Sequence, residues 1–133
     1  MGEILVVVVD VRRGSPTLGR WCGINLSDAK QRMLWIPPGF AHGFRVLSQN
    51  AHVLYKATDF YDPKAERTIA WTDPVLDIDW QLAGPPTISD KDRRAGALRR
   101  AELFGSALQL SIRDMVPGDN HGQFTKNLSS SPR

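Results

Sequence analysis

Trp35-Ile36-Pro37-Pro38-Gly39-Phe40-Ala41-His42-Gly43-Phe44-Arg45-Val46-Leu47-Ser48 is where the reading of this chain begins. An apolar, strand-like run ends at Ile36, and a second begins after His42. Between them Pro37 fixes its own φ, and Pro38 drives Pro37 towards an extended conformation. Gly39 is free to take φ > 0. The segment therefore turns sharply and is expected to present His42, bracketed by Phe40 and Phe44, at the end of a sheet.

Short strands are predicted on both sides of this corner. Upstream, Gly2–Val11 contains Ile4-Leu5-Val6-Val7-Val8-Val9, apolar on both faces, which marks a central strand covered on both sides. Arg12-Arg13-Gly14-Ser15-Pro16-Thr17 is turn chemistry. Arg20–Leu26 reads as a strand with Trp21, Gly23 and Asn25 on one face and Cys22, Ile24 and Leu26 on the other. Gln31–Ile36 is a third strand and Gly43–Leu47 a fourth. Ala51–Thr58 is a fifth, with Val53, Tyr55 and Ala57 on one face and His52, Leu54 and Lys56 on the other. Arg67–Trp71 is a sixth. Thr72–Leu82 is expected to be extended and pinned by Ile78 and Trp80. Ser89 is placed to N-cap a turn with Asp92 three residues on. Ala95–Phe104 reads as a short helix with Leu98 and Leu103 inward. Short strands with turn signals between them, spaced roughly 8–12 residues apart, indicate an antiparallel sandwich or barrel, of which the jelly roll is one form.

The 133 residues suit one domain with one core. Residues 1–104 are assigned to it. Composition changes after Phe104, and 105–133, ending Ser129-Ser130-Ser131-Pro132-Arg133, reads as a flexible tail in which Leu108–Met115 is a candidate strand or helical turn. Mean hydropathy is mildly negative. The longest apolar run, Ile4–Val9, falls far short of the ~20 residues needed to span a bilayer, so no membrane association is expected. Cys22 is the single cysteine; it reads as a buried small hydrophobe, and a cytoplasmic location follows. The net charge of +3 owes much to arginines between Arg93 and Arg113. That stretch lacks interleaved aromatics and reads as a solvated face, with no nucleic-acid partner.

Pro37-x-Gly39-x-x-His42 resembles the second half of the metal-binding cupin pattern. The remainder of that pattern, a His-x-His and a Glu, has no counterpart among the histidines at 42, 52 and 121. One imidazole does not make a metal site, so neither metal nor cofactor is expected. For His42 two readings stand open: a hydrogen-bonding residue in a cleft, or a histidine satisfied by backbone groups at a turn. A Tyr55 facing the interior of a sandwich needs a partner for its hydroxyl or borders a cavity. Phe60 and Tyr61 lie in a polar loop with Glu66 nearby, where an aromatic can stack on a nucleobase or simply cover the loop.

Four segments together resemble the dTDP-4-dehydrorhamnose 3,5-epimerase family: Val9–Thr17, Leu34–Phe44, Leu54–Tyr61 and Ile88–Asp92. The resemblance runs in order from about Gly2 to Phe104. It implies an all-β, cupin-type jelly roll, N-terminally incomplete here, that forms a homodimer and uses no metal. It implies inversion of two carbons flanking a keto group on a dTDP-4-keto-6-deoxy sugar, on the route to dTDP-L-rhamnose. By matching motif, Tyr55 resembles the proton donor and Asp92 the aspartate that orients the catalytic base. His42, Glu66 and Lys91 resemble substrate contacts, and Tyr61 the tyrosine stacked on thymine. The family's Leu-Arg-Gly-Leu-His motif, which carries the base, does not occur in this sequence. Three functions follow as alternatives: a weakly active or inactive epimerase-family protein, a non-catalytic sugar-nucleotide-binding module that takes dTDP, or a remnant interaction protein.

Overall fold

Glu3–Asp10 forms β1, the middle strand of a three-stranded antiparallel sheet in the computed structural model, which describes residues 1–105. Trp21–Ser27 (β2) pairs with one edge of β1 and Phe40–Val46 (β3) with the other, in the order β2-β1-β3. A run of β-branched residues without polar alternation can be satisfied only in a strand buried on both faces, and every residue from Ile4 to Asp10 is buried. Removing each such valine from water contributes about 1.5 kcal/mol or more.

Register divides the core into two halves. Val8 lies opposite Cys22 on β2 and His42 on β3, and Val6 opposite Ile24 and Phe44. Ile4, Val6, Val8, Cys22 and Phe40 form one cluster, with Leu34, Ile36 and Ala51 packed at its margin. Leu5, Val7, Val9, Val11, Leu76 and Leu98 form the other, against which Trp21, Ile78, Trp80 and Leu103 pack. The two faces expected for Arg20–Leu26 are thus the two faces observed. Ile78 and Trp80 pin their segment as expected, but Thr72–Leu82 is not extended throughout: it turns at residues 74–76, and Asp77 and Gln81 take φ 45° and 53°. Leu98 and Leu103 turn inward.

The segment around Trp80 lies across the second face like a strap. The Arg45 guanidinium donates to the carbonyls of Trp80 and Gln81. The Trp80 indole N–H donates to the Trp71 carbonyl at 2.9 Å. Gly43 leaves room for this ring, since a Cβ there would stand 3.2 Å from it. Asp73 ties the strap to the next segment by accepting from the backbone N–H of Leu98 at 2.5 Å and of Val75 at 2.8 Å.

Several expected elements are absent or shorter. Gln31–Ile36 and Ala51–Thr58 are not strands, and of Arg67–Trp71 only the bridge between Ile69 and Gly96 is present. A strand exists only where its backbone finds a neighbour. The Pro37-Pro38 pair withholds two donors just after Ile36, and Gln31 sits at φ 46°. In 51–58 the backbone bond from His52 N–H to the Met1 carbonyl, 2.8 Å, joins the segment to the rest of the chain. The expected helix at Ala95–Phe104 reduces to a 3₁₀ turn at Leu98–Arg100, preceded by a four-residue helix, α1, at Asp90–Arg93. The residues of the expected flexible tail, Gly105 excepted, and the candidate element at Leu108–Met115 lie outside the described residues. Among the described residues no helix is long and apolar enough to cross a membrane.

Candidate functional site

The corner before β3 is built from a buried ionic network. Asp10, fully buried at the end of β1, accepts from the Arg12 backbone N–H at 3.0 Å and from the Arg12 guanidinium at 3.0 and 2.7 Å. Ser15 and Thr17 hydroxyls donate to the same carboxylate at 2.6 Å each. Burial alone would raise the Asp10 pKa, but the hydrogen bonds from Arg12, Ser15 and Thr17 outweigh it and hold the carboxyl well below its usual range. The guanidinium lies 4.5 Å from the centroid of Phe40. Gly39, at φ 90°, passes so close beneath it that a Cβ would stand 2.5 Å from Arg12 Cγ. The Val11 N–H bonds to the Gly39 carbonyl at 3.0 Å. What reads in the sequence as turn chemistry is therefore the device that fixes where β3 begins. The overlooked signal was a carboxylate closing a fully apolar strand, which demands a cationic partner nearby.

His42 follows two residues after Phe40. It lies within β3, opposite Val8, rather than at the end of the sheet. Its side chain projects on the face of Phe40 and Phe44 and is exposed at its outer side, while desolvation on the sheet lowers its pKa below the ordinary value. A neutral imidazole, able both to donate and to accept, follows at neutral pH.

A second group of candidate residues gathers across the loops. The Lys91 ammonium meets the Glu66 carboxylate at 2.5 Å, joining positions 25 apart in sequence. That hydrogen bond raises the Lys91 pKa against a smaller opposing desolvation, and the charges of the Glu66 and Asp92 carboxylates add to the effect. Ser89 caps α1 as expected: its hydroxyl accepts from the Asp92 N–H at 3.1 Å and donates to the Asp92 carboxylate at 2.7 Å. Tyr61 remains 76% exposed and its neighbour Phe60 97% exposed, so both rings offer a face to solvent.

Tyr55 departs from expectation. It is 82% exposed and lies in an irregular segment rather than facing a sandwich interior. Its hydroxyl has no hydrogen-bond partner among the described residues, and no hydrogen bond or ion pair ties it or His42 to the Glu66–Lys91 pair. The structure thus joins Glu66 to Lys91, the neighbour of Asp92, and shows no direct bond from Tyr61, His42 or Tyr55 to that pair among the described residues. Among the described residues no three His, Cys, Asp or Glu side chains are grouped as a metal would require.

With this geometry in place, the likeness to known proteins can be stated. Residues 1–100 match the profile of the dTDP-4-dehydrorhamnose 3,5-epimerase family. The Pseudomonas aeruginosa dTDP-4-dehydrorhamnose 3,5-epimerase is 54% identical over 104 residues, covering 78% of this chain and 58% of that protein. The Salmonella typhimurium enzyme of the same name is 48% identical over 103 residues, covering 77% and 56%. Among solved structures, a dTDP-6-deoxy-D-glucose-3,5-epimerase from Legionella pneumophila, in complex with dTDP-4-keto-L-rhamnose, superposes with a TM-score of 0.70 at 41% identity. It covers 80% of this chain and 58% of that one. A 3′-monoepimerase from Streptomyces bikiniensis in complex with dTDP-quinovose gives a TM-score of 0.70 at 35% identity, covering 74% and 50%. The chain therefore spans a little over half the length of the first two relatives. Its three strands and packed loops are part of a cupin-type jelly roll. A profile match across the whole sheet and both loop clusters, joined to close structural agreement, places the chain in the dTDP-4-dehydrorhamnose 3,5-epimerase family.

Proposed function

We propose that this chain binds a dTDP-4-keto-6-deoxy sugar and serves the double epimerisation that leads to dTDP-L-rhamnose. The Glu66–Lys91 pair carries the reading: it joins from distant sequence positions a cation suited to a diphosphate and a carboxylate suited to hydroxyls, and the exposed Tyr61, in the same loop as Glu66, supplies an aromatic face suited to thymine. Tyr61 stacks on the base, Lys91 and Glu66 engage the nucleotide sugar, and His42 contacts substrate as a neutral hydrogen-bonding group. The C4 ketone itself acidifies the protons on its neighbouring carbons, so the chemistry needs a base, stabilisation of the enolate and an acid on the other face. No metal or organic cofactor enters this scheme. Tyr55 is the acid, and Asp92 orients the base. The family's base motif does not occur in these 133 residues, so on this reading their own turnover is expected to be slow.

A second reading, a non-catalytic sugar-nucleotide-binding module, is favoured by the exposed hydroxyl of Tyr55, held by no neighbour. Two measurements separate the readings. Titration with dTDP should show binding that Tyr61→Ala weakens by about five-fold or more, the loss of one base–aromatic stack. Equal affinity of wild type and variant counts against both. Deuterium exchange at the carbons flanking the ketone, abolished by Tyr55→Phe, supports the enzyme; binding without exchange supports the module. The same reading makes the protein a homodimer located in the cytoplasm, on the grounds of the apolar Phe44 and Val46 exposed along β3 and the single cysteine.

A further inference from the structure

The four residues of α1 bury none of their side chains. A single helical turn without packing is not stable on propensity, because nucleation costs more than one turn returns. Something else must hold Lys91 and Asp92 in place. The Ser89 carbonyl accepts from the Arg93 N–H at 3.0 Å, and the Lys91 carbonyl accepts from the Arg94 N–H at 3.1 Å. The Ser89 hydroxyl does more than cap. In the usual capping box the third helical residue reaches back to the cap residue's backbone N–H. Here Asp92 has too short a side chain and meets the hydroxyl instead, so one serine oxygen grips both the backbone and the carboxylate of Asp92. This occupies Oδ2 of Asp92. It also fixes the intervening Lys91 so that its ammonium reaches Glu66.

We propose that Ser89 is a positioning residue of the nucleotide-sugar site, acting through Lys91 rather than by touching the ligand. The inference rests on the binding role given above to Lys91. Without the hydroxyl, the turn is populated only part of the time, and apparent affinity falls by that fraction.

The test is the dissociation constant for dTDP, measured by calorimetry on the 133-residue chain and its variants. Ser89→Ala should weaken binding by about three-fold, consistent with loss of one N-cap. Ser89→Thr, which keeps the hydroxyl, should restore it. In a Lys91→Ala background Ser89→Ala should change affinity no further, because the residue it positions is gone. Thermal melts should stay cooperative and close to wild type for all four variants, since α1 buries nothing. Ser89→Ala binding as tightly as wild type overturns the proposal, and so does a full three-fold loss persisting in the Lys91→Ala background, which would mean direct contact. In both cases the binding role of the chain survives. A wild-type chain that does not bind dTDP instead overturns that role, and this inference with it.

Discussion

Asp10 and Arg12 show how a single buried charge organises its surroundings. The carboxylate is fully buried, and Arg12 is nearly so. Removing one member of such a pair leaves the other uncompensated, at about 3–5 kcal/mol, whereas replacing both by apolar groups costs much less. We expect Asp10→Asn and Arg12→Met each to lower urea stability by that order, and the double variant to fall well short of their sum. The pH dependence has a definite sign. The folded carboxyl ionises below its unfolded value of 3.8, so its contribution is fully present above that value and is lost as pH falls beneath it. Asp10→Asn should therefore flatten the acid limb of a stability–pH curve. Cys22 gives the opposite case: burial pushes its thiol up from 9.0 to about 11. Stability from keeping it neutral is present below pH 9.0 and lost as pH rises towards 11. A disulfide reagent at neutral pH should label Cys22 only as fast as the sheet opens; immediate stoichiometric labelling of the native protein would contradict its burial.

At the scale of elements, the strap from Trp71 to Leu82 and the turn at Leu98 are joined by Asp73. Asp73→Ala leaves the Leu98 and Val75 amides without their acceptor. The Leu98 amide is buried whereas Val75 is exposed and can turn to water. One unsatisfied buried group costs about 1–3 kcal/mol, so this variant should destabilise by that order in chemical denaturation, more than the exposed cap Ser89→Ala. Elements were legible in the sequence where periodicity and burial coincide. β1 announced itself by its unbroken apolar run, and β2 by the alternation of Cys22, Ile24 and Leu26 with Trp21 and Gly23. Ala51–Thr58 carries the same β-prone residues, yet it is no strand. Composition reports that a segment favours extended backbone; it cannot report whether a hydrogen-bonding neighbour lies beside it. The site was legible in the same uneven way. Ser89 and Asp92 were found because a cap is local, and Tyr61 because an aromatic in a polar loop stands out, whereas the substrate roles of Glu66 and Lys91 came through family likeness. The Asp10 network was missed because its meaning depends on burial.

At the scale of the whole molecule, the two faces of the sheet differ in cover. Leu76, Leu98 and Trp80 close the face of Leu5, Val7 and Val9. Over β1 the face of Ile4, Val6 and Val8 is buried, with Leu34, Ile36 and Ala51 packed against it, but along β3 it lies open, where Phe44 is 51% and Val46 40% exposed. Among the described residues β2 and β3 each have a strand neighbour on one side only. Exposed strand edges beside a contiguous apolar surface invite pairing with a like surface. The expected result is self-association through this face, in keeping with a homodimer. Sedimentation should give a mass that rises with concentration above the 14.8 kDa of one chain. Phe44→Glu places a charge at an exposed position and buries nothing new, so it should shift the equilibrium towards monomer while leaving the melt within about 0.5 kcal/mol of wild type. A single species of one-chain mass across the micromolar range, melting cooperatively and binding no hydrophobic dye, would show that the open face is no interface. If instead Phe44→Glu leaves the mass unchanged while charges placed at Trp35 or Leu54 dissociate it, the contact runs through the exposed loops rather than the sheet.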